Sequence, residues 1–188
     1  RNYVQWDTSL YKVFSRRWFA RATYTYTLST GTSLQALSGS FLNDPQTQYN
    51  NGPLLSTDIR HTVKAFGSWE LPTDPWQQIL GFYFEYYSGQ PLERLYAGFE
   101  PPPGPAYNLR IRDRGLYTRF PPLWRFDLQF SQDIDVRRGK LRIEIQMLNA
   151  LNARAPVNFL GTFYTENRLL ATQRQQPRRV QFGLRYQY

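Results

Sequence analysis

The chain has 188 residues, enough for one ordinary domain with a sizeable interior. It is basic, with formal net charge +9, and it has no Cys, which excludes a disulfide framework, a thiolate nucleophile and a cysteine-based zinc site. No stretch approaches the roughly 18 consecutive apolar residues of a membrane helix, yet the mean hydropathy of −0.60 leaves room for membrane strands, which are apolar only at alternate positions. The sequence opens on Arg1 with neither an initiator methionine nor an apolar leader, which reads as a processed chain or a piece of a longer one.

Alternation with period 2 marks about seven strands. The first, Tyr3–Phe14, sets Val4, Trp6, Thr8 and Leu10 against Gln5, Asp7 and Ser9. A tight turn at Ser15–Arg17 leads to the second, Trp18–Leu28, with Ala20, Ala22, Tyr24 and Tyr26 against Arg21, Thr23, Thr25 and Thr27. A long polar loop runs to about Asp58. The third strand, Arg60–Leu71, places His61, Val63, Ala65, Gly67 and Trp69 on one face, and Phe66 breaks the polar pattern of the other. Pro72–Pro75 makes a short turn before Ile79–Tyr87, whose Leu80, Phe82, Phe84 and Tyr86 share a face. A second long loop, with the stiff "EPPPGP" at Glu100–Pro105, extends to about Pro122. The fifth strand, Leu123–Asp133, sets Trp124, Phe126, Leu128 and Phe130 against Arg125, Asp127 and Gln129. A turn at Val136–Gly139 precedes Lys140–Asn149, with Leu141, Ile143, Ile145 and Met147 against Arg142, Glu144 and Gln146. A third long loop follows, with a short strand expected at Val157–Tyr164. The last strand, Arg179–Tyr188, keeps Val180, Phe182, Leu184, Tyr186 and Tyr188 apart from Gln181, Arg185 and Gln187.

One apolar face per strand fits two solvents. In a soluble β-sandwich the apolar faces pack on each other; in a transmembrane antiparallel barrel they meet lipid. Three features favour the barrel. Strands of about 11 residues, tilted near 45°, span about 25 Å, the height of an outer-membrane apolar band, whereas sandwich strands run nearer 5 to 6 residues. Connections alternate short and long, as periplasmic turns and extracellular loops do. With Ser15, Pro72 and Arg138 on the periplasmic side, Trp18, Trp69 and Trp76 fall at one rim and Trp6 and Trp124 at the other, with Phe82, Phe84, Leu128, Ile143, Ile145 and Leu184 between. That banding is an aromatic girdle. Seven strands is an odd number where bacterial single-chain barrels have an even one, so the chain is expected to form one arc of a larger barrel.

Several stretches resemble the late strands of TonB-dependent outer-membrane receptors, in particular the Oar-like group: "DIRHTVKAFGSWELP" (Asp58–Pro72), "YYSGQPL" (Tyr86–Leu92), "RGLYTRFPPLWRFDLQFSQDI" (Arg114–Ile134), "IQMLNALNARAPVNF" (Ile145–Phe159) and "PRRVQFGLRYQY" (Pro177–Tyr188). The resemblance runs in order over nearly the whole chain, and Asn149 and Asn152 carry its most specific part. It implies a 22-stranded barrel in the bacterial outer membrane, of which residues 1–188 are the C-terminal arc, with no plug domain and no TonB box among them. It further implies active uptake of a scarce ligand, with TonB engaged through the plug. The implied partners are outer-membrane lipid including lipopolysaccharide, the remaining strands and plug, and the barrel-assembly machinery. That machinery recognises alternating terminal strands ending in an aromatic, a pattern that Val180, Phe182, Leu184, Tyr186 and Tyr188 match.

The residues themselves give little sign of an enzyme. His61 is the sole histidine and sits on an apolar face, so neither a catalytic, a metal nor a cofactor site is expected. Arg125, Asp127, Arg142, Glu144 and Arg185 read as charges lining a lumen, with a general acid and base pair of Asp127 and Glu144 as the lesser reading. Basic and aromatic residues occupy opposite faces, which argues against nucleic acid as a partner. Loop arginines (Arg94, Arg110, Arg112, Arg114, Arg119, Arg154, Arg168, Arg174, Arg178 and Arg179) are either solvated or face lipopolysaccharide phosphates. A passive pore completed by another chain and a soluble sandwich remain as alternatives, and the ligand is not legible.

Overall fold

A computed structural model describes residues 2–31, 52–53, 58–73, 76–91, 95–99, 106–110, 119–159 and 171–188. The described residues form an all-β structure. Strand β1 (Asn2–Ser15) pairs with β2 (Trp18–Gly31) in a hairpin, and β3 (Gly52–Pro53) adds a short ladder to the end of β2. Then follow β4 (His61–Leu71), β5 (Gln77–Tyr87), the hairpin of β6 (Leu95–Phe99) and β7 (Ala106–Arg110), β8 (Leu123–Val136) and β9 (Gly139–Leu148). A small ladder of β10 (Pro156–Phe159) and β11 (Ala171–Arg174) precedes β12 (Arg179–Gln187). The long strands make one antiparallel meander in the order β1-β2-β4-β5-β8-β9-β12. The strands that a sandwich would divide between two packed sheets therefore lie in one.

The local chemistry explains the strands and their ends. β2 alternates Thr with Ala and Tyr, residues that suit a pleated ribbon packed on one side. The β1–β2 and β8–β9 connections are two residues each, Arg16-Arg17 and Arg137-Arg138, between the cross-strand pairs Ser15↔Trp18 and Val136↔Gly139. The β4–β5 connection is also short. A meander puts alternate connections at opposite ends, so all three short ones share one end and all three long ones the other, as expected from the sequence. The short strand anticipated at Val157–Tyr164 is β10, shifted one residue earlier, and residues 160–164 lie outside the described part, as does Glu100–Pro105.

Cross-strand register keeps the two faces distinct from edge to edge. One row runs Ala22↔Ala65↔Phe84↔Phe126, and the next Ala20↔Gly67↔Phe82↔Leu128↔Met147↔Val180. Between them on the other face runs Arg21↔Phe66↔Tyr83↔Asp127. Among the described residues the buried apolar side chains are the small Pro91, Ala150 and Ala153, while Trp6 is 59% exposed and Phe182 78%. The large apolar residues form an open surface, and no second layer covers it among the described residues.

Candidate functional site

The polar face carries a ladder of charges built from β5, β8 and β9. Glu85 is its hub: Oε2 accepts hydrogen bonds from the Tyr83 and Tyr87 hydroxyls at 2.9 and 3.3 Å, and Oε1 lies 3.3 Å from Arg125 Nη2 on the facing strand. Arg125 also reaches Asp127 at 3.2 Å and lies 5.7 Å from the Tyr83 ring centre. Nearer the short-turn end, Arg142 donates to both oxygens of Asp133 at 2.6 and 2.7 Å, a bidentate pair between directly opposed residues. Glu144 lies opposite Ser131, and Arg185 lies opposite Arg142, so two like charges meet across β9 and β12. Opposite charges thus meet across β5 and β8 and across β8 and β9, while β9 and β12 set Arg142 against Arg185.

Asp127 and Glu144 are not brought together. Asp127 lies four residues along β8 from Ser131, the partner of Glu144, roughly 13 Å on a strand. Asp127 Oδ1 instead accepts the backbone N–H of Asn149 at 2.7 Å. A hollow of about 460 Å³ opens on this face, lined by Tyr83, Asp127, Gln129, Arg142, Glu144 and the rings of Phe19 and Phe66. Phe66, the exception to the polar pattern, meets Phe19 edge-to-face at 6.3 Å.

At the long-loop end a second cluster fixes the loop bases to the sheet. Asp58, fully buried, accepts the Ser29 N–H at 3.0 Å through Oδ1 and pairs with the Arg119 guanidinium through Oδ2. Arg119 Nη1 donates to the carbonyls of Asp58 and Gly89 at 3.0 and 3.1 Å, and Arg60 approaches the same carboxylate at 3.5 Å. Gly89 is needed here, since a Cβ would lie 1.5 Å from the Phe120 carbonyl oxygen. Arg119 stood among the loop arginines in the sequence, but nothing there singled out Asp58, 61 positions away. The Asn pair has a related task. Asn149 and Asn152 adopt φ of 52° and 53°, a region that Asn tolerates better than most residues. Asn149 Nδ2 donates to the Ala153 and Gln176 carbonyls, its Oδ1 accepts from Ala153 N–H, and Asn152 Oδ1 accepts from Arg178 N–H.

On the apolar face the tryptophans fall at two levels. Trp18 and Trp69 are directly paired at the short-turn end, and Trp76 precedes β5 there. Trp6 and Trp124 lie at the long-loop end, where Trp6 meets Tyr24 edge-to-face at 5.8 Å and Trp124 pairs with Tyr86. His61 joins that upper level, its Nδ1 2.9 Å from the Tyr24 hydroxyl. Val180, Phe182, Leu184 and Tyr186 line the apolar side of β12, and Tyr188 lies just beyond it. Of the loop arginines, Arg174 donates to the Arg154 carbonyl and Arg178 to that of Ala150, while Arg179 starts β12. Arg94, Arg112, Arg114 and Arg168 lie outside the described residues, and Arg110 is described in its backbone alone.

Compared with protein-family models, with curated proteins and with solved structures, the chain finds no match.

Proposed function

We propose that the chain is a wall segment of a transport barrel in the bacterial outer membrane, of the TonB-dependent receptor kind, and not an enzyme. One observation carries the reading. Over the seven long strands Lys12, beside a turn, is the single Lys, Arg, Asp or Glu on the apolar face, although the opposite face is densely charged. Water gives no reason to clear one face of charge while leaving its large side chains uncovered. Hydrocarbon does, because a charge at the bilayer midplane costs about 2–4 kcal/mol. Short turns at one end, long anchored loops at the other and tryptophans at both levels fit the same solvent. Transport enters through the sequence resemblance. The polar face would line the lumen, the Asp58–Arg119 and Asn149 clusters would hold the outer loops, and Arg174, Arg178 and Arg179 would face lipopolysaccharide phosphates.

The test starts from the natural protein in its own cells. It is expected in the outer-membrane fraction, released only by detergent, and its loss should abolish an uptake that stops when the proton gradient is collapsed. Recovery in the soluble fraction would sink the barrel. Uptake indifferent to the gradient would replace the receptor by a passive pore.

A further inference from the structure

We propose that the short-turn end of the apolar face binds one anionic glycerophospholipid, its acyl chain over Ala20 and its phosphate on Arg16 and Arg17. The inference rests on the membrane reading above and names a specific lipid partner for one part of that face. A groove of about 650 Å³ lies here between Trp18, Trp69, Leu80, Phe82 and Phe126, with Ala20 in its floor. The groove is set by the sequence. The rows crossing it put Ala20 beside Gly67 and Ala22 beside Ala65, next to Phe82 and Phe84. Position 67 admits nothing larger, since a Cβ there would lie 2.5 Å from the Phe19 carbonyl oxygen and 2.9 Å from the Phe82 ring. A flexible hydrocarbon chain fills such a channel where rigid side chains leave gaps.

The mouth of the groove is cationic. Trp18, its wall, pairs with Ser15, and the two residues between them are Arg16 and Arg17, both exposed and without an ion pair to any described residue. Lys12 adds a third charge: its Nζ sits 3.9 Å from the Trp18 ring centre and donates to the Ser15 and Trp18 carbonyls at 2.8 and 3.0 Å. Glu70, beside the Trp69 that pairs with Trp18, donates its backbone N–H to the Arg17 carbonyl and carries its side chain on the polar face. The turn itself does not ask for arginine. Its φ values of 53° and 69° are those of a type I′ turn, where Asn-Gly is the natural occupant. Arginine at both positions places two planar, bidentate phosphate binders at the end of an apolar channel. A second copy of this chain, with net charge +9, is poorly suited to that mouth, and a zwitterionic lipid matches its charge less well than an anionic one.

The experiment places the intact protein in vesicles of phosphatidylcholine with equal mole fractions of either brominated phosphatidylglycerol or brominated phosphatidylcholine. Tryptophan quenching is read in a background with Trp6, Trp76 and Trp124 changed to Phe. The expected result is quenching of Trp18 and Trp69 at a several-fold lower fraction of the brominated anionic lipid. Arg16→Asn with Arg17→Gly suits the turn better than the native pair, so folding is not at stake, and it should remove most of that several-fold preference. Ala20→Phe should abolish the preference with all three cations in place. Equal quenching by the two lipids overturns the phospholipid site and leaves the barrel standing, as does a preference that survives the double substitution. Lipid quenching replaced by cross-linking between Trp18 surfaces of two copies assigns the groove to a second copy and overturns it too. Absence of any quenching, with the protein outside the vesicles, overturns the membrane reading and this inference with it.

Discussion

Asp58 shows how much a single buried charge can hold. Its carboxylate satisfies the end of β2, the start of β4 and the segment before β8 at once, through Ser29, Arg60 and Arg119. Asp58→Ala leaves the half-buried Arg119 guanidinium without its counter-charge, and a loss of about 3 kcal/mol is expected. Unfolding in detergent measures it, and protease cleavage between β5 and β8 should rise in parallel; an unchanged midpoint would show the cluster to be ornamental. Asn149 gives a graded case. Asn149→Gly keeps the left-handed backbone but loses three side-chain hydrogen bonds, whereas Asn149→Ala loses the bonds and strains the backbone as well, so Ala should cost about 1 kcal/mol more than Gly. The Asn-x-x-Asn spacing was visible in the sequence because it is local. Its partners, Gln176 and Arg178, were not, because they return from 27 and 26 positions away. Asp58 was invisible for the same reason.

In the strands, alternation was enough to place nearly every side chain on its correct face, since a pleated strand leaves only two choices and one face is almost free of charge. The ends were less legible: β8 continues to Val136, three residues past the expected Asp133, because Ile134 and Val136 extend the same alternation into the turn. The β6–β7 hairpin and β11 were missed, being 5, 5 and 4 residues long, too short for a period to declare itself. The two faces should answer substitution in opposite ways. Leu184→Arg puts a charge into the apolar face and should cost about 2–4 kcal/mol of folding into bilayers, while Arg185→Leu, one residue on, should be near neutral. Equal costs would refute the assignment of faces. The facing pair Arg142 and Arg185 makes a further case. Asp133→Asn removes the carboxylate that compensates them and should destabilise by about 1 kcal/mol, an effect that Arg185→Gln in the same chain should largely reverse. A double-mutant cycle with no coupling between positions 133 and 185 would refute this.

Among the described residues the long-strand sheet has two unpaired edges, β1 and β12. In the isolated chain the amides of β4, β5 and β8 should exchange slowly with solvent deuterium, and the outward amides of β1 and β12 quickly. If the sheet is one arc of a membrane barrel, as proposed above, the edge amides of the native protein should become as slow as the central ones, because an unpaired edge is not sustained in lipid. Persistent fast exchange there would contradict a closed barrel. What lies against those edges was not legible in the alternation, since no described residue pairs with them.

The meander also restricts what can lie there. Six antiparallel ladders separate β1 from β12, so the two edge strands run in the same direction. Antiparallel pairing of either edge with its own copy needs a two-fold axis normal to the sheet, and that axis would turn one copy upside down, with long loops at both surfaces of the bilayer. Two copies inserted the same way up can meet only β12 to β1, and then in parallel. An all-antiparallel ring therefore cannot be assembled from copies of this arc in one membrane orientation. In the barrel proposed above, whatever closes the arc must present, at both of its own edges, strands of the opposite sense, which requires an odd number of them.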